Sequence, residues 1–310
     1  MYRSILVPLD GSSFGERALP LAARIARRSG AELRLVHVHD QEVEPEHPSL
    51  TPYRFEGLDA RVLDRRTEAE EGAYLEEVSR RLTESAPVAL ATVVVEGGLI
   101  AALERYVRES GGDLLVMSTH GRGALGRMWL GSVADTLVRR AGKPVLLIHA
   151  HEGGAAEDMA LEPTVERIMV TLDGSPLAEQ VLPYACELAS VLLAQIELVT
   201  VVTPAMVAGH AFGGNGSAGA GAVMDAAQEY LRNVAGRLCQ KGQSVQIQAA
   251  AASDPAAAVL EMADQRGAGL LALATHGRGG ISRLVAGSVA EKVVHGTHVP
   301  VLLVRPAVGS

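Results

Sequence analysis

The feature that most constrains this chain is that it repeats itself. Ile5-Leu-Val-Pro-Leu-Asp-Gly-Ser12 returns as Ile168-Met-Val-Thr-Leu-Asp-Gly-Ser175, shifted by 163 residues. Ser118-Thr-His-Gly-Arg-Gly123 returns as Ala274-Thr-His-Gly-Arg-Gly279, shifted by 156. Gly131-Ser-Val-Ala134 and Pro144-Val-Leu-Leu147 return at 287–290 and 300–303 with the same second shift, so 19 of these 22 positions are identical. The change of shift makes the second copy seven residues shorter somewhere in its middle. A chain of 310 residues then reads as one domain written twice. The expected boundaries are 1–150 for the first domain, 151–164 for an acidic, Gly/Ala-rich linker and 165–310 for the second.

Within the first copy, short aliphatic runs alternate with longer amphipathic stretches. Strands are expected near Ser4–Pro8, Glu32–Val38, Val88–Val95, Leu114–Met117 and Val145–Ile148. Helices are expected near Phe14–Ser29, Val62–Ser85, Leu99–Ser110 and Val133–Ala141. Continuous apolar strands separated by helices indicate an α/β fold, a parallel sheet covered on both faces. Pro20 and Pro183 are expected to bend the first helix of each copy. The first copy has a long acidic loop over 39–59, and the second a Gly/Ala tract over 204–221; both read as lids or unstructured segments. Val145–Ile148 and Val301–Val304 close their copies and are expected at a sheet edge, where duplication lets one cover the other.

Composition excludes several function classes. The core must be aliphatic, with only 3 Phe, 6 Tyr and 1 Trp. A net charge of −8 disfavours a nucleic-acid partner. No apolar run is long enough to span a membrane, and the first residues lack a signal-peptide pattern, so a cytoplasmic protein is expected. Cys186 and Cys239 form no CxxC and read as buried, reduced thiols.

In open α/β sheets, ligands sit beyond the carboxyl ends of the strands where strand order reverses. Two repeated motifs belong there. Asp10-Gly11-Ser12 and Asp173-Gly174-Ser175 end the first strand of each copy. Ser118-Thr-His-Gly121 precedes Gly131-Ser132, and Ala274-Thr-His-Gly277 precedes Gly287-Ser288. Gly131-Ser132 opens a helix whose free N–H groups and dipole suit a phosphate. Arg122, Arg127, Arg278 and Arg283 add positive charge. Each motif alone is an ordinary turn or capping box; their joint repetition favours a nucleotide.

Other motifs carry less. Gly121-Arg-Gly123-Ala-Leu-Gly126 spells GxGxxG but follows the fourth strand, and its last glycine becomes Ser282. Gly11-Ser-Ser13-Phe-Gly15 matches a nucleophile elbow, yet the repeat has Pro176 and Ala178 instead. No P-loop occurs. His37-x-His39 is read as facing opposite sides of its strand, which suits metal chelation poorly. His120 and His276 read as turn residues.

With the strand-one aspartate, the Gly-x9-Gly-Ser spacing and the Pro-Val-aliphatic closing strand, the chain resembles the universal stress protein family along nearly its whole length. The resemblance implies two tandem five-stranded parallel α/β sandwich domains of the adenine nucleotide alpha hydrolase-like type, related by a pseudo-two-fold axis. It also implies a stress-response or regulatory protein that holds ATP with Mg, one nucleotide per copy. Asp10 and Asp173 would meet the ribose and the metal, and Val38 and Val201 the adenine. Gly121, Gly131 and Ser132, with Gly277, Gly287 and Ser288, would line the phosphates and ribose. Pro8, Ser118, Arg127 and Val133, with Thr171, Ala274, Arg283 and Val289, would complete the pockets. The family's first glycine is Ser118 here and Ala274 in the second copy, which narrows the space for a nucleotide. The family's closing strand mediates dimerisation, so an intramolecular pseudo-dimer, and a further homodimer, are implied. The alternatives are a nucleotide-free interaction module of the same fold and an adenylyl-transfer enzyme. No catalytic base is identified, so any hydrolysis would be slow.

Overall fold

The computed structural model describes residues 2–39, 60–85, 87–119, 132–149, 164–208, 220–275 and 288–306. The first copy runs β1 Ser4–Leu9, α1 Ser13–Glu16, α2 Leu19–Ser29, β2 Glu32–His39, α3 Ala60–Ser85, β3 Leu90–Glu96, α4 Leu99–Glu109, β4 Leu114–Ser118, α5 Ser132–Arg140 and β5 Val145–Ile148. The second runs β6 Arg167–Thr171, α6 Pro176–Glu179, α7 Leu182–Leu192, β7 Gln195–Val202, α8 Pro204–Ala208, α9 Ala220–Cys239, β8 Val245–Ala251, α10 Pro255–Gln265, β9 Leu270–Ala274, α11 Ser288–Gly296 and β10 Val301–Val304.

Strands β1, β4, β5, β6, β9 and β10 are short, mostly aliphatic and largely buried on both faces, which is what helices on both sides of a parallel sheet require. Strands β3 and β8 are only partly buried. Ile5, Val7 and Leu9 face one core with α2, α3, α7 and α9, and Leu6 faces the other with α4, α5, α10 and α11. Ile5, Leu6 and Val7 are each at most 1% exposed, and burying such a side chain contributes about 1.5–3 kcal/mol. The first core runs continuously through both copies.

Sheet order is β3-β2-β1-β4-β5-β10-β9-β6-β7-β8. Each copy contributes five parallel strands, and the copies join where β5 pairs antiparallel with β10. The closing strands therefore lie at the middle of the sheet, and β3 and β8 form its edges. β5 and β10 are edges only within one copy; the duplication covers each with the other.

Pro20 and Pro183 do more than bend a helix. Each is the second residue of a new helix, α2 or α7, preceded by the separate turn α1 or α6. A proline in the first turn lacks only an N–H that would be unpaired anyway. The start of the second-copy loop is also ordered: Thr203 caps the short helix α8 through Met206 N–H, and Val207 packs on Val202, Val223 and Ala227. The first-copy loop beyond His39 and most of the linker lie outside the described residues. Cys186 is half-buried, with burial raising its thiol pKa, but Cys239 is exposed at the end of α9. No helix among the described residues is long and apolar enough to cross a membrane.

The structure extends the repeat. Tyr74-Leu75, Val78 and Arg81-Leu82 on α3 correspond to Tyr230-Leu231, Val234 and Arg237-Leu238 on α9, again shifted by 156. The strands β2 and β7 still follow the shift of 163. The seven-residue difference therefore falls between the second strand and the helix that follows it.

Candidate functional site

Strand order reverses between β1 and β4 in the first copy and between β6 and β9 in the second. Chain connections leave in opposite directions there and open a crevice at the carboxyl ends of the strands. β2, β1 and β4 are adjacent and parallel, which brings Val38, Asp10 and Ser118 to the same end of the sheet. Val201, Asp173 and Ala274 are arranged likewise by β7, β6 and β9.

The turn after strand one is built around its aspartate. Asp10 Oδ1 accepts the Ser12 N–H at 3.0 Å and the Ser12 hydroxyl at 2.6 Å. Ser12 Oγ in turn accepts the Gly15 N–H at 3.2 Å and caps α1. Gly11 and Gly174 between them have φ of 75° and 79°, a left-handed conformation that favours glycine. In the second copy Asp173 Oδ1 accepts the Ser175 N–H at 2.9 Å, and Ser175 Oγ accepts the Ala178 N–H at 3.1 Å. A Cβ at Gly15 would stand 2.8 Å from Asp10 Oδ1, so the helix start approaches this carboxylate as closely as a residue without a side chain permits.

Sequence reasoning missed a second layer behind each aspartate. Arg81 Nη2 bonds Glu16 Oε2 at 2.8 Å, and Arg237 Nη2 bonds Glu179 Oε2 at 2.6 Å. Tyr74 and Tyr230 stand beside these pairs. Burial raises both phenol pKa values, reinforced by Glu16 and Asp10 in one copy and by Glu179 and Asp173 in the other. The quartet Asp10, Glu16, Tyr74 and Arg81 thus recurs as Asp173, Glu179, Tyr230 and Arg237. Repetition along the third helix was its signal.

The remaining expected residues fall as follows. Pro8 and Thr171 are partly exposed near the ends of β1 and β6, and Val38 and Val201 are buried on the face of α4 and α10. Ser118 ends β4 with its hydroxyl buried and without a hydrogen-bond partner among the described residues, and Ala274 ends β9. Ser132 and Ser288 open α5 and α11, and Val133 and Val289 in their first turns pack on the second core. Each of these helices follows β4 or β9, so its N-terminus lies at the crevice end. Gly121, Arg122, Arg127, Gly131, Gly277, Arg278, Arg283 and Gly287, with His120 and His276, lie outside the described residues.

His37 and His39 correct an expectation. Residues two apart on a strand share a face, and both rings meet Glu71 of α3. Among the described residues, no group of three or more His, Cys, Asp or Glu is placed to hold a metal ion.

Two parallel α/β units, each with an acidic turn at its own switch point, define a tandem-duplicated α/β protein with one crevice per copy. The model of the universal stress protein family matches residues 1–149 and again 164–305. The chain belongs to that family. It is 28% identical over 309 residues to a universal stress protein of Mycobacterium tuberculosis, covering 97% of this chain and 96% of that one. It is 34% identical over 155 residues to a universal stress protein of Thermus aquaticus, covering 48% of this chain and 99% of that one. The crystal structure of a universal stress protein from Archaeoglobus fulgidus shares the fold, with a TM-score of 0.70 at 17% identity over 98% of both chains.

Proposed function

We propose that this protein binds ATP with Mg at the two switch-point crevices, as a cytoplasmic regulatory module and not a metabolic enzyme. The observation that carries the reading is the repeated acidic turn: Asp10 and Asp173 stand at the same strand end in both copies, each fixed by the serine two residues on. One carboxylate per site suits Mg, which is commonly held by one or two carboxylates together with the substrate's phosphates. The buried hydroxyl of Ser118, without a hydrogen-bond partner among the described residues, adds a group whose desolvation a ligand hydrogen bond would offset.

In this reading Asp10 and Asp173 contact ribose and metal, and Val38 and Val201 offer backbone groups to adenine. The helix starts at Ser132-Val133 and Ser288-Val289 face the phosphates. Bound nucleotide supplies a polyanion whose shape or occupancy a partner can read. Residues 151–164 serve as the linker, and the pairing of β5 with β10 supplies the pseudo-dimer within one chain.

Calorimetric titration with Mg-ATP tests the proposal. Two sites are expected in the wild type, and one each in Asp10→Ala and Asp173→Ala. No heat at millimolar nucleotide in the wild type would overturn it. A nucleotide-free interaction module is the second reading, favoured by Ala274, whose methyl group stands where the family has glycine. Acid extraction of protein purified without added nucleotide separates the two: adenine nucleotide in the extract supports binding, and a clean extract supports the second reading.

A further inference from the structure

The two copies differ chemically at one buried place beside the crevice. In the first copy, Glu71 Oε1 lies 3.6 Å from His37 Nε2, and Glu71 Oε2 lies 2.9 Å from His39 Nδ1. His37 Nδ1 is 2.8 Å from the carbonyl oxygen of Leu9, the residue before Asp10. The side chains are largely buried, at 12% exposed for His37, 6% for His39 and 17% for Glu71.

Hydrogen-bond chemistry fixes the ring of His37. A carbonyl oxygen only accepts, so Nδ1 carries a proton. Nε2 then meets the Glu71 carboxylate either with a lone pair, which repels it, or with a second proton, which attracts it. Among the described residues, the groups around this ring are Glu71 and Tyr74 from α3, the latter edge-on at 6.1 Å, and His39 from β2. Beyond Leu9 lies Asp10 of the strand-one turn, and behind Tyr74 lies Glu16 of α1, already paired with Arg81. The neighbouring strands present Leu9 and Val94. The group on α3 that meets the ring nitrogen is thus the Glu71 carboxyl.

The second copy does the same fixing without a titratable group. Thr200, at the place of His37, donates its hydroxyl to the carbonyl of Leu172 at 2.8 Å. Val202 replaces His39, and Ala227 replaces Glu71; with Val223 they form a small apolar cluster.

We propose that His37 is a proton-dependent positioning residue of the first-copy site. With a proton from solvent on Nε2, it ties the Leu9 carbonyl to α3 through Glu71 and so fixes Asp10. Without that proton, lone pair and carboxylate repel, Glu71 withdraws toward His39, and the brace behind Asp10 is lost. The second site, braced by Thr200, has no such dependence. The proposal rests on the reading of both crevices as nucleotide sites. It predicts that affinity at the first site falls relative to the second as pH rises, any titration of the nucleotide itself being common to both.

Mg-ATP calorimetry on Asp173→Ala protein reads the first site, and on Asp10→Ala protein the second. Between about pH 5 and 8, the ratio of first-site to second-site affinity is expected to fall roughly fivefold or more. Replacing the cluster with that of the second copy (His37→Thr, His39→Val, Glu71→Ala) should make the ratio constant. His37→Gln keeps a donor for Leu9 without the titration and should do the same if the triple variant fails to fold. A constant ratio in the unaltered cluster overturns the proposal. Amide hydrogen-exchange protection in nucleotide-free wild type gives an independent readout: α3 should lose protection relative to α9 as pH rises, and equal behaviour of the two helices overturns the clamp. If neither site takes up Mg-ATP while α3 still responds, the nucleotide reading fails and the clamp stands.

Discussion

Leu146 of β5 lies directly opposite Leu302 of β10, and the two are the same residue of the repeat. A residue that meets its own counterpart lies at the axis relating the copies. The flanking pairs agree: Val301 opposes Leu147, and Leu303 opposes Val145. Farther along the same relation, Arg28 donates to the carbonyl of Val191, its own counterpart, at 3.3 Å. The pseudo-two-fold axis therefore runs through buried strand pairing and through the packing of α2 on α7.

Unfolding should be one event for both copies. Leu302 is fully buried in a core that draws on α2 and α7 alike. Leu302→Ala should cost about 2–5 kcal/mol, and urea denaturation should still show a single transition. Two separated transitions would mean that the strand pairing does not couple the copies.

The acidic turns predict a separation of binding from stability. Gly15→Ala places a methyl group against Asp10 Oδ1, so the carboxylate must move. Ala178 occupies the same place in the second copy, where the turn still forms, so the fold accommodates the methyl group. Mg-ATP affinity at the first site should fall severalfold, while the thermal midpoint changes little. Equal affinity in the variant would show that Asp10 is not held where its ligand needs it.

Much of this was legible because the chain states it twice. The strand-one aspartates, the tandem organisation and the sheet type follow from repeated motifs and aliphatic runs. What was hidden depends on partners distant in sequence. Glu16 meets Arg81, 65 residues away, and the shift between copies changes before α3, so motif matching stopped short of that helix. The placement of β5 and β10 was legible too, because the duplication implied that each closing strand covers the other. Each closing strand is an edge by its own copy's pattern and becomes central only when the second copy is present.

Alkaline pH should destabilise the protein through its buried tyrosines. Burial raises the phenol pKa values of Tyr2, Tyr74 and Tyr230, with nearby carboxylates adding to the effect. The folded chain then keeps phenolic protons that the unfolded chain releases above about pH 10. Stability is fully present below that value and falls above it, because the unfolded state binds fewer protons. The slope is at most about 1.4 kcal/mol per pH unit for each tyrosine, and less for the half-buried Tyr74 and Tyr230, which solvent screens. Urea midpoints measured from about pH 9 to 11 should show the loss, and Tyr2→Phe should remove the largest share. A slope unchanged by Tyr2→Phe would place the alkaline sensitivity elsewhere.

The end of α7 carries strain that the first copy avoids. Leu193 closes this helix at φ 59° and is 77% exposed, whereas Gly30 closes α2 at φ 72°. A left-handed conformation costs a residue with a Cβ about 1–2 kcal/mol, and the exposed leucine recovers little by burial. Glycine relieves that strain but loses about 0.5–1 kcal/mol through its freer unfolded state. Leu193→Gly should therefore stabilise the protein by roughly 0.5–1 kcal/mol, read as a rise of about 1–4 °C in Tm. Gly30→Leu should produce the opposite change. If Leu193→Gly lowered Tm, the leucine side chain would have to make a stabilising contact that outweighs its backbone strain.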